Sequence, residues 1–449
     1  MTPELLAKYR RPVPRYTSYP TAPHMHAGIG ADAYAAWLDA VPVSTPLSLY
    51  LHIPFCDSLC WFCGCHTKIV ARYQPVADYL ALLGREIDLV AERVGARRPV
   101  DHVHFGGGSP TILAPDDLRA LCERLRERFD VRPDAELAIE IDPRGLDRAR
   151  VAALADAGVT RASIGVQDVN PKVQQAINRI QPIEVTAQAV RWLRDAGVDA
   201  INIDLMYGLP HQTLDRMRRT VDAVVALRPA RLALFGYAHV PWMKRHQRLI
   251  PERALPGAEL RWTQFATAAA MLEDAGYVAI GLDHFAVPSD PLAIALREQR
   301  LHRNFQGYTA DAASTLLGFG ASAIGALPQG MVQNAVPIHA WAEALRAGRL
   351  AVARGLTLDD EDRLRAAVIE QLMYHLQVEL GPLCGRHGRP ADHFAPEVAM
   401  LEPLAADGLV EIDPSRLRVP PAARPLLRSV CAVFDQYLQP SETLHARAV

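Results

Sequence analysis

The feature that most constrains this chain is a repeated alternation of short β-rich runs with amphipathic stretches. The runs cover 47–53, 100–105, 137–141, 161–166, 200–205, 231–237 and 277–281. Stretches with helical spacing lie between them at 78–94, 115–128, 147–157, 183–196 and 213–226. Strand, helix, strand in repetition implies a parallel sheet with right-handed crossovers. Asp-Ala-Gly recurs at 156–158, 195–197 and 274–276, each followed directly by a strand. Each reads as a helix end with glycine at its cap. The pattern predicts an α/β fold built on a barrel or partial (β/α) barrel over 46–335. In such folds ligands sit at the C-terminal ends of the strands.

The flanks read differently. Residues 1–45 carry the aperiodic run Pro14-Arg15-Tyr16-Thr17-Ser18-Tyr19-Pro20-Thr21, expected to be an extended arm packed over something else. After about 335 the alternation stops. Helices are expected at 341–348 and 358–374. A helix, an Asp-Gly turn and a short strand follow within 394–417. Residues 336–449 thus read as a small, mostly helical C-terminal domain with winged-helix character.

Lys plus Arg number 48 against 50 Asp plus Glu, a formal charge of −2. Nothing there points to a nucleic-acid partner, which needs concentrated positive charge. No apolar stretch is long enough to span a bilayer, and the N-terminus has no signal-peptide core. The expectation is a cytoplasmic protein with reduced thiols. A monomer is expected, since no large apolar helix face stands out.

Seven cysteines are present, and four fall within His52-Ile53-Pro54-Phe55-Cys56-Asp57-Ser58-Leu59-Cys60-Trp61-Phe62-Cys63-Gly64-Cys65. The segment follows the first β run, so it lies on a loop at that strand's C-terminal end. Three thiolates spaced C-x3-C-x2-C can hold three irons of a cubane and leave the fourth iron without a protein ligand. An open position is what chemistry requires; four protein ligands make a structural site. S-adenosylmethionine can fill that position through its amino and carboxylate groups. An electron from the cluster then breaks a C–S bond to give a 5′-deoxyadenosyl radical. Cys65 is expected to face the cavity without ligating. The competing reading is a four-thiolate zinc site, but those come as two C-x-x-C pairs, and no second pair exists.

Other strand ends carry polar residues. His104-Phe105-Gly106-Gly107-Gly108-Ser109 follows the second run, and its glycines permit close backbone approach to a ligand. Glu140 and Asp142 end the third run on one face. Gln167 and Asp168 end the fourth, with Asn178 and Arg179 after it. Asn202, Asp204 and the Gly-Leu-Pro at 208–210 end the fifth.

The motifs at 14–21, 50–65, 104–111, 165–168, 202–210, 237–239, 283–286 and 302–309 together resemble the oxygen-independent coproporphyrinogen III oxidase family, within the radical S-adenosylmethionine superfamily. The resemblance covers almost the whole chain. It implies a [4Fe–4S] cluster on Cys56, Cys60 and Cys63, and two molecules of S-adenosylmethionine. Tyr50, Gly107 and Glu140 would contact the first. Phe62, Gly108, Ser109, Gln167, Arg179, Asp204, Ala238 and Ile324 would contact the second. The implied substrate is coproporphyrinogen III, whose ring A and B propionates become vinyls. Cys65, Arg15 and Tyr16 would serve catalysis, with the arm closing over the substrate. The electron donor and final acceptor stay unidentified. Arg15, Arg144 and Arg303 are candidates to pair with propionates; His284 and His302 could be substrate contacts or core residues. The alternative is a related haem chaperone, a group that lacks the fourth cysteine and the tyrosine arm present here.

Overall fold

In the computed structural model, which describes residues 3–9, 13–95, 97–305, 307–311, 313–414 and 416–438, the predicted alternation folds as parallel strands crossed by helices. Gln306 of the 302–309 motif and everything after 438 lie outside the described residues. The strands of the main sheet are β1 (Leu47–Ile53), β2 (Pro99–Gly107), β3 (Asp130–Ile141), β4 (Arg161–Gln167), β5 (Ala200–Tyr207), β6 (Arg231–Gly236), β7 (Val278–Ile280), β8 (His284–Ala286), β9 (Thr315–Phe319), β10 (Ile324–Leu327), β11 (Gly330–Asn334) and β12 (Val352–Thr357). Their order is β12-β11-β10-β9-β1-β2-β3-β4-β5-β6-β8-β7. From β9 through β6 every neighbour is parallel. The outer strands pair antiparallel. β12 and β7 do not pair with each other, so the barrel is partial; a single bridge from His26 to Gly355 touches the outer edge of β12. Its parallel strands bring their C-terminal ends to one rim.

Local chemistry explains the connections. Helix Pro115–Arg128 starts on a proline with Asp116 and Asp117 in its first turn and ends with Arg126 and Arg128, matching the helix dipole. Asp147 and Thr213 cap the next helices by accepting N–H bonds from Arg150 and Arg216. The repeated Asp-Ala-Gly motif does end helices: Gly158, Gly197 and Gly276 take φ of +78°, +84° and +91°. A residue with a Cβ resists that left-handed region.

The main core lies between the sheet and its helices, with Leu49, Leu51, Val103, Phe105, Ile139, Ile164, Ile203 and Leu232 buried. A second core joins the C-terminal helices to Ile280, Leu292 and Leu301, and takes in Tyr9, Tyr16 and Tyr19 of the N-terminal arm. Gln377–Val378, Glu411–Ile412 and Leu417–Arg418 form a small antiparallel sheet beside those helices.

Two expected boundaries move. β12 pairs with β11, and Trp341 is fully buried in the main core. The sheet therefore runs to Thr357, and a cut at 335 would leave β12 without its partner. At the other end, helix Ala31–Asp39 buries Tyr34 and Leu38 in the main core. Only the residues before it behave as an arm. No described helix is long and apolar enough to cross a membrane.

Candidate active site

β1 delivers the cysteine loop to the rim. Phe55–Cys56 pairs with Lys68–Ile69, which closes the loop at its root. Beneath it runs the glycine segment after β2. The N–H of Gly108 donates to the carbonyl of Ile53 at 2.9 Å, and that of Ser109 to Phe55 at 2.8 Å. A Cβ on Gly108 would stand 2.5 Å from the carbonyl oxygen of Phe55. Glycine is required there by close approach of two backbones. Gly108→Ala should push the loop root aside, lowering stability by roughly 1–3 kcal/mol and reducing iron uptake on reconstitution. Melting and iron assays read both, and a variant normal in both contradicts this packing.

The loop is held from two sides. Asn178 donates to the carbonyl of Leu59 at 2.8 Å, and the N–H of Trp61 to Ile177 at 2.9 Å. Across the loop, Gln247 donates to Phe62 at 3.0 Å and to Ala238 at 3.2 Å. His246 donates from Nε2 to the carbonyl of Cys63 at 2.7 Å, and Lys244 from Nζ to that of Cys65 at 2.9 Å. The sequence reading missed 244–247. Its one signal was a long aperiodic segment after β6 holding Lys, Arg, His and Gln, the kind of loop that tends to be functional.

Cys60 is buried, Cys56 and Cys63 are half-buried, and Cys65 is exposed. The guanidinium groups of Arg144 and Arg179 each reach Cys60 Sγ at 3.4 Å. Asp142 pairs with both, at 2.6 and 3.0 Å. Burial works against that carboxylate, but the two arginines win and bring it down to about 2. Arg144, a candidate for a propionate, is thus committed to the cysteine loop. The Cys65 N–H donates to Cys63 Sγ at 3.4 Å. A hydrogen bond from the Cys65 thiol, opposed by burial, brings Cys63 down to about 6. The same bond raises the Cys65 thiol.

Of the residues expected around the first S-adenosylmethionine, Tyr50, Gly107 and Glu140 do adjoin one another. Glu140 accepts the Gly107 N–H at 3.1 Å, and the space beside Gly106 is walled by Glu140 and the Tyr50 ring. The His52 Nε2 must donate to the carbonyl of His66 at 3.1 Å, which leaves Nδ1 to accept from the Tyr50 hydroxyl at 3.0 Å. Of the second set, Phe62 and Ala238 are bridged by Gln247. Gln167 (φ +71°) and Arg179 meet over Gly165, whose carbonyl accepts from Arg179 at 2.7 Å. Asp204 stands beside Gly165 in register. It accepts from Asn202 and Ser163 at 2.8 and 3.1 Å, and burial holds its carboxyl up, near 6. Ser109 is buried with its hydroxyl 3.2 Å from that of Thr111. Ile324 lies off to the other side in β10, against Gly318, the partner of Tyr50 in the sheet.

The arm residues part company. Arg15 reaches the carbonyl of Gly236 at the end of β6, at 3.5 Å. Tyr16 is buried, and its hydroxyl donates to Asp435 at 3.1 Å. It fastens the arm to the C-terminal core, and nothing in its contacts supports a catalytic role. Arg303 lies over the Tyr308 ring at 4.5 Å. His284 pairs with Asp283 at 2.7 Å, whereas His302 faces Glu370 at 2.9 Å on a C-terminal helix.

The residues fit an iron–sulfur cluster. Three thiols on one clamped loop form a soft donor set, and two arginines stand ready to balance thiolate charge. Arg179 Nε is buried without a hydrogen-bond partner.

Residues 50–224 match the Radical SAM superfamily, and residues 358–426 match the HemN C-terminal domain. An oxygen-independent coproporphyrinogen III oxidase of Bradyrhizobium diazoefficiens is 52% identical over 437 residues, covering 97% of each chain. That of Paracoccus denitrificans is 42% identical, covering 97% of this chain and 96% of its own. The solved coproporphyrinogen III oxidase (HemN) of Escherichia coli superposes with a TM-score of 0.91 at 38% identity, covering 94% of this chain and 98% of that one. Membership of the Radical SAM superfamily carries with it a [4Fe–4S] cluster and S-adenosylmethionine. Alike from arm to C-terminal domain in both sequence and fold, the chain belongs to the oxygen-independent coproporphyrinogen III oxidase family.

Proposed function

We propose that this protein converts coproporphyrinogen III to protoporphyrinogen IX in haem biosynthesis, oxidatively decarboxylating the ring A and B propionates to vinyls without oxygen. The observation that carries the reading is the thiol loop: Cys56, Cys60 and Cys63 at the rim of the parallel strands, with paired arginines on Cys60. These three cysteines would hold the cluster. Reductive cleavage of S-adenosylmethionine there supplies the hydrogen-abstracting 5′-deoxyadenosyl radical.

The chain's own residues set the conditions. Arg144 and Arg179 set two guanidinium groups 3.4 Å from the buried Cys60 sulfur. Tyr50, Gly107 and Glu140 line the space for the nucleotide beside the loop. A second S-adenosylmethionine would contact Phe62, Gly108, Ser109, Gln167, Arg179, Asp204, Ala238 and Ile324; the pairing of Phe62 with Ala238 through Gln247 supports a shared pocket there. Arg15 and Arg303 would meet the propionates. Both act on Asp283, which lies half-buried near them and is held at about 2, the pairing with His284 and the two arginines outweighing desolvation. The arm would cover the substrate and exclude water.

Anaerobic incubation of reconstituted protein with dithionite, S-adenosylmethionine and coproporphyrinogen III tests the reading. Chromatography should show the divinyl product; intact substrate with haem bound instead rejects it. Cys65→Ser should keep its iron and lose most turnover, whereas loss of iron would make Cys65 a ligand. Deleting residues 1–21 should spare 5′-deoxyadenosine formation and abolish decarboxylation. Equal loss of both would remove the cover role.

A further inference from the structure

The segment 240–250 after β6 has two faces. Gln247 and Ile250 are buried, the first bonded to the backbone of the cysteine loop and the second packed with Trp61 and Phe62. Three other side chains of the segment are open to solvent: Trp242, Met243 and Leu249 are 51%, 66% and 54% exposed. Ten large apolar side chains are comparably exposed among the described residues, and three of them fall within these eight positions. Single exposed apolar residues are ordinary, but clustered ones mark a contact surface. Trp, Met and Arg are also the residues enriched at protein interfaces.

The charge around them is one-sided. Residues 240–253 hold Lys244, Arg245, Arg248 and Arg253 against Glu252 alone, in a chain whose formal charge is −2. Arg245, Arg248 and Arg253 are exposed. The same segment touches the loop directly, through His246 on Cys63 and Lys244 on Cys65. Trp242 and Met243 directly precede Lys244, whose side chain bonds the carbonyl of Cys65.

We propose that this face docks a small acidic protein that delivers single electrons to the cysteine loop. This rests on the reading that the loop holds a cluster needing reduction. The partner is oxidised by one electron, the cluster is reduced by one, and no atom is transferred. The apolar centre would seat the partner's redox group, and the basic residues its carboxylates, a complementarity that acts mainly on encounter rate.

The test uses the iron-loaded full chain and photoreduced flavodoxin, an acidic one-electron donor, as the probe. Calorimetry reads its binding, and bleaching of the cluster absorption reads electron delivery; neither needs substrate. Arg245→Glu combined with Arg248→Glu, and separately Trp242→Ala, should each weaken flavodoxin binding and slow bleaching by about tenfold or more. Bleaching by dithionite should not change, and wild-type binding should weaken with added salt. Binding within about twofold of wild type in both variants overturns the proposal. So does loss of self-association with flavodoxin binding intact, which would make the face a contact between copies of this chain. Should the double variant fail to load iron, Trp242→Ala decides on the same terms. A wild-type protein that is reduced by flavodoxin yet forms no divinyl product overturns the proposed function and leaves the docking face standing.

Discussion

Serine in place of Cys60 should yield a folded protein with background iron, no cluster absorption and no 5′-deoxyadenosine formation. A hydroxyl is a far poorer ligand for iron than a thiolate, because it is harder and rarely ionised near neutral pH. The fold should survive, because the loop is held through backbone groups. Leu59, Phe62, Cys63 and Cys65 offer their carbonyls to Asn178, Gln247, His246 and Lys244. None of those bonds uses Cys60 Sγ. Arg144 and Arg179 keep Asp142 as a partner, so no buried charge is stranded. Cys56→Ser and Cys63→Ser should behave alike. Iron content, the visible spectrum and a melting curve together check the claim. Full iron in any of the three variants removes that thiol from the ligand set.

The second large effect is on stability and falls at Glu86, 2% exposed in helix Gln74–Val94. Its carboxyl accepts the Gly320 N–H at 2.6 Å, the Asn334 amide at 2.6 Å and the Trp341 indole N–H at 3.1 Å. Beside it, Tyr79 stacks on Trp341 at 4.4 Å and donates to the carbonyl of His52 at 2.8 Å. One carboxyl thus pins the returning strands to the helix that backs the cysteine loop. Glu86→Ala strands three buried donors and should cost about 3–5 kcal/mol, read by denaturant unfolding. A loss below about 1 kcal/mol would show that water or rearrangement replaces them. Burial, outweighing these bonds, lifts the Glu86 carboxyl from 4.5 to about 7. A group with a raised folded pKa binds its proton more tightly when folded. Its contribution is therefore full below about 4.5 and declines as pH rises to about 7. Glu86→Gln should flatten that part of the stability profile.

The site was legible to different degrees for physical reasons. The cysteine spacing, the glycine run and the carboxylates at strand ends are local patterns, and the structure gathers them at one rim because parallel strands share an end. Arg144 misled: its charge suited a propionate, but only the folded chain shows Cys60 and Asp142 beside it. The clamp at 244–247 was hidden because its targets are backbone carbonyls, which every residue has. The resemblance put Tyr16 over the substrate; only the folded chain shows its ring in the second core and its hydroxyl on Asp435.

What the amino-acid sequence determined alone was the β–α alternation, the helix ends at Asp-Ala-Gly and a loop carrying cysteines spaced C-x3-C-x2-C. These follow from side-chain periodicity, glycine's backbone freedom and spacing along a short segment. Tertiary structure alone decided that β9 returns to pair with β1, Leu47 opposite Thr315, and that the sheet continues to Thr357. It alone brought Arg144 and Arg179 to one sulfur. Such contacts join residues far apart along the chain, and they are selected by which surfaces can be buried together, a choice that no local pattern encodes.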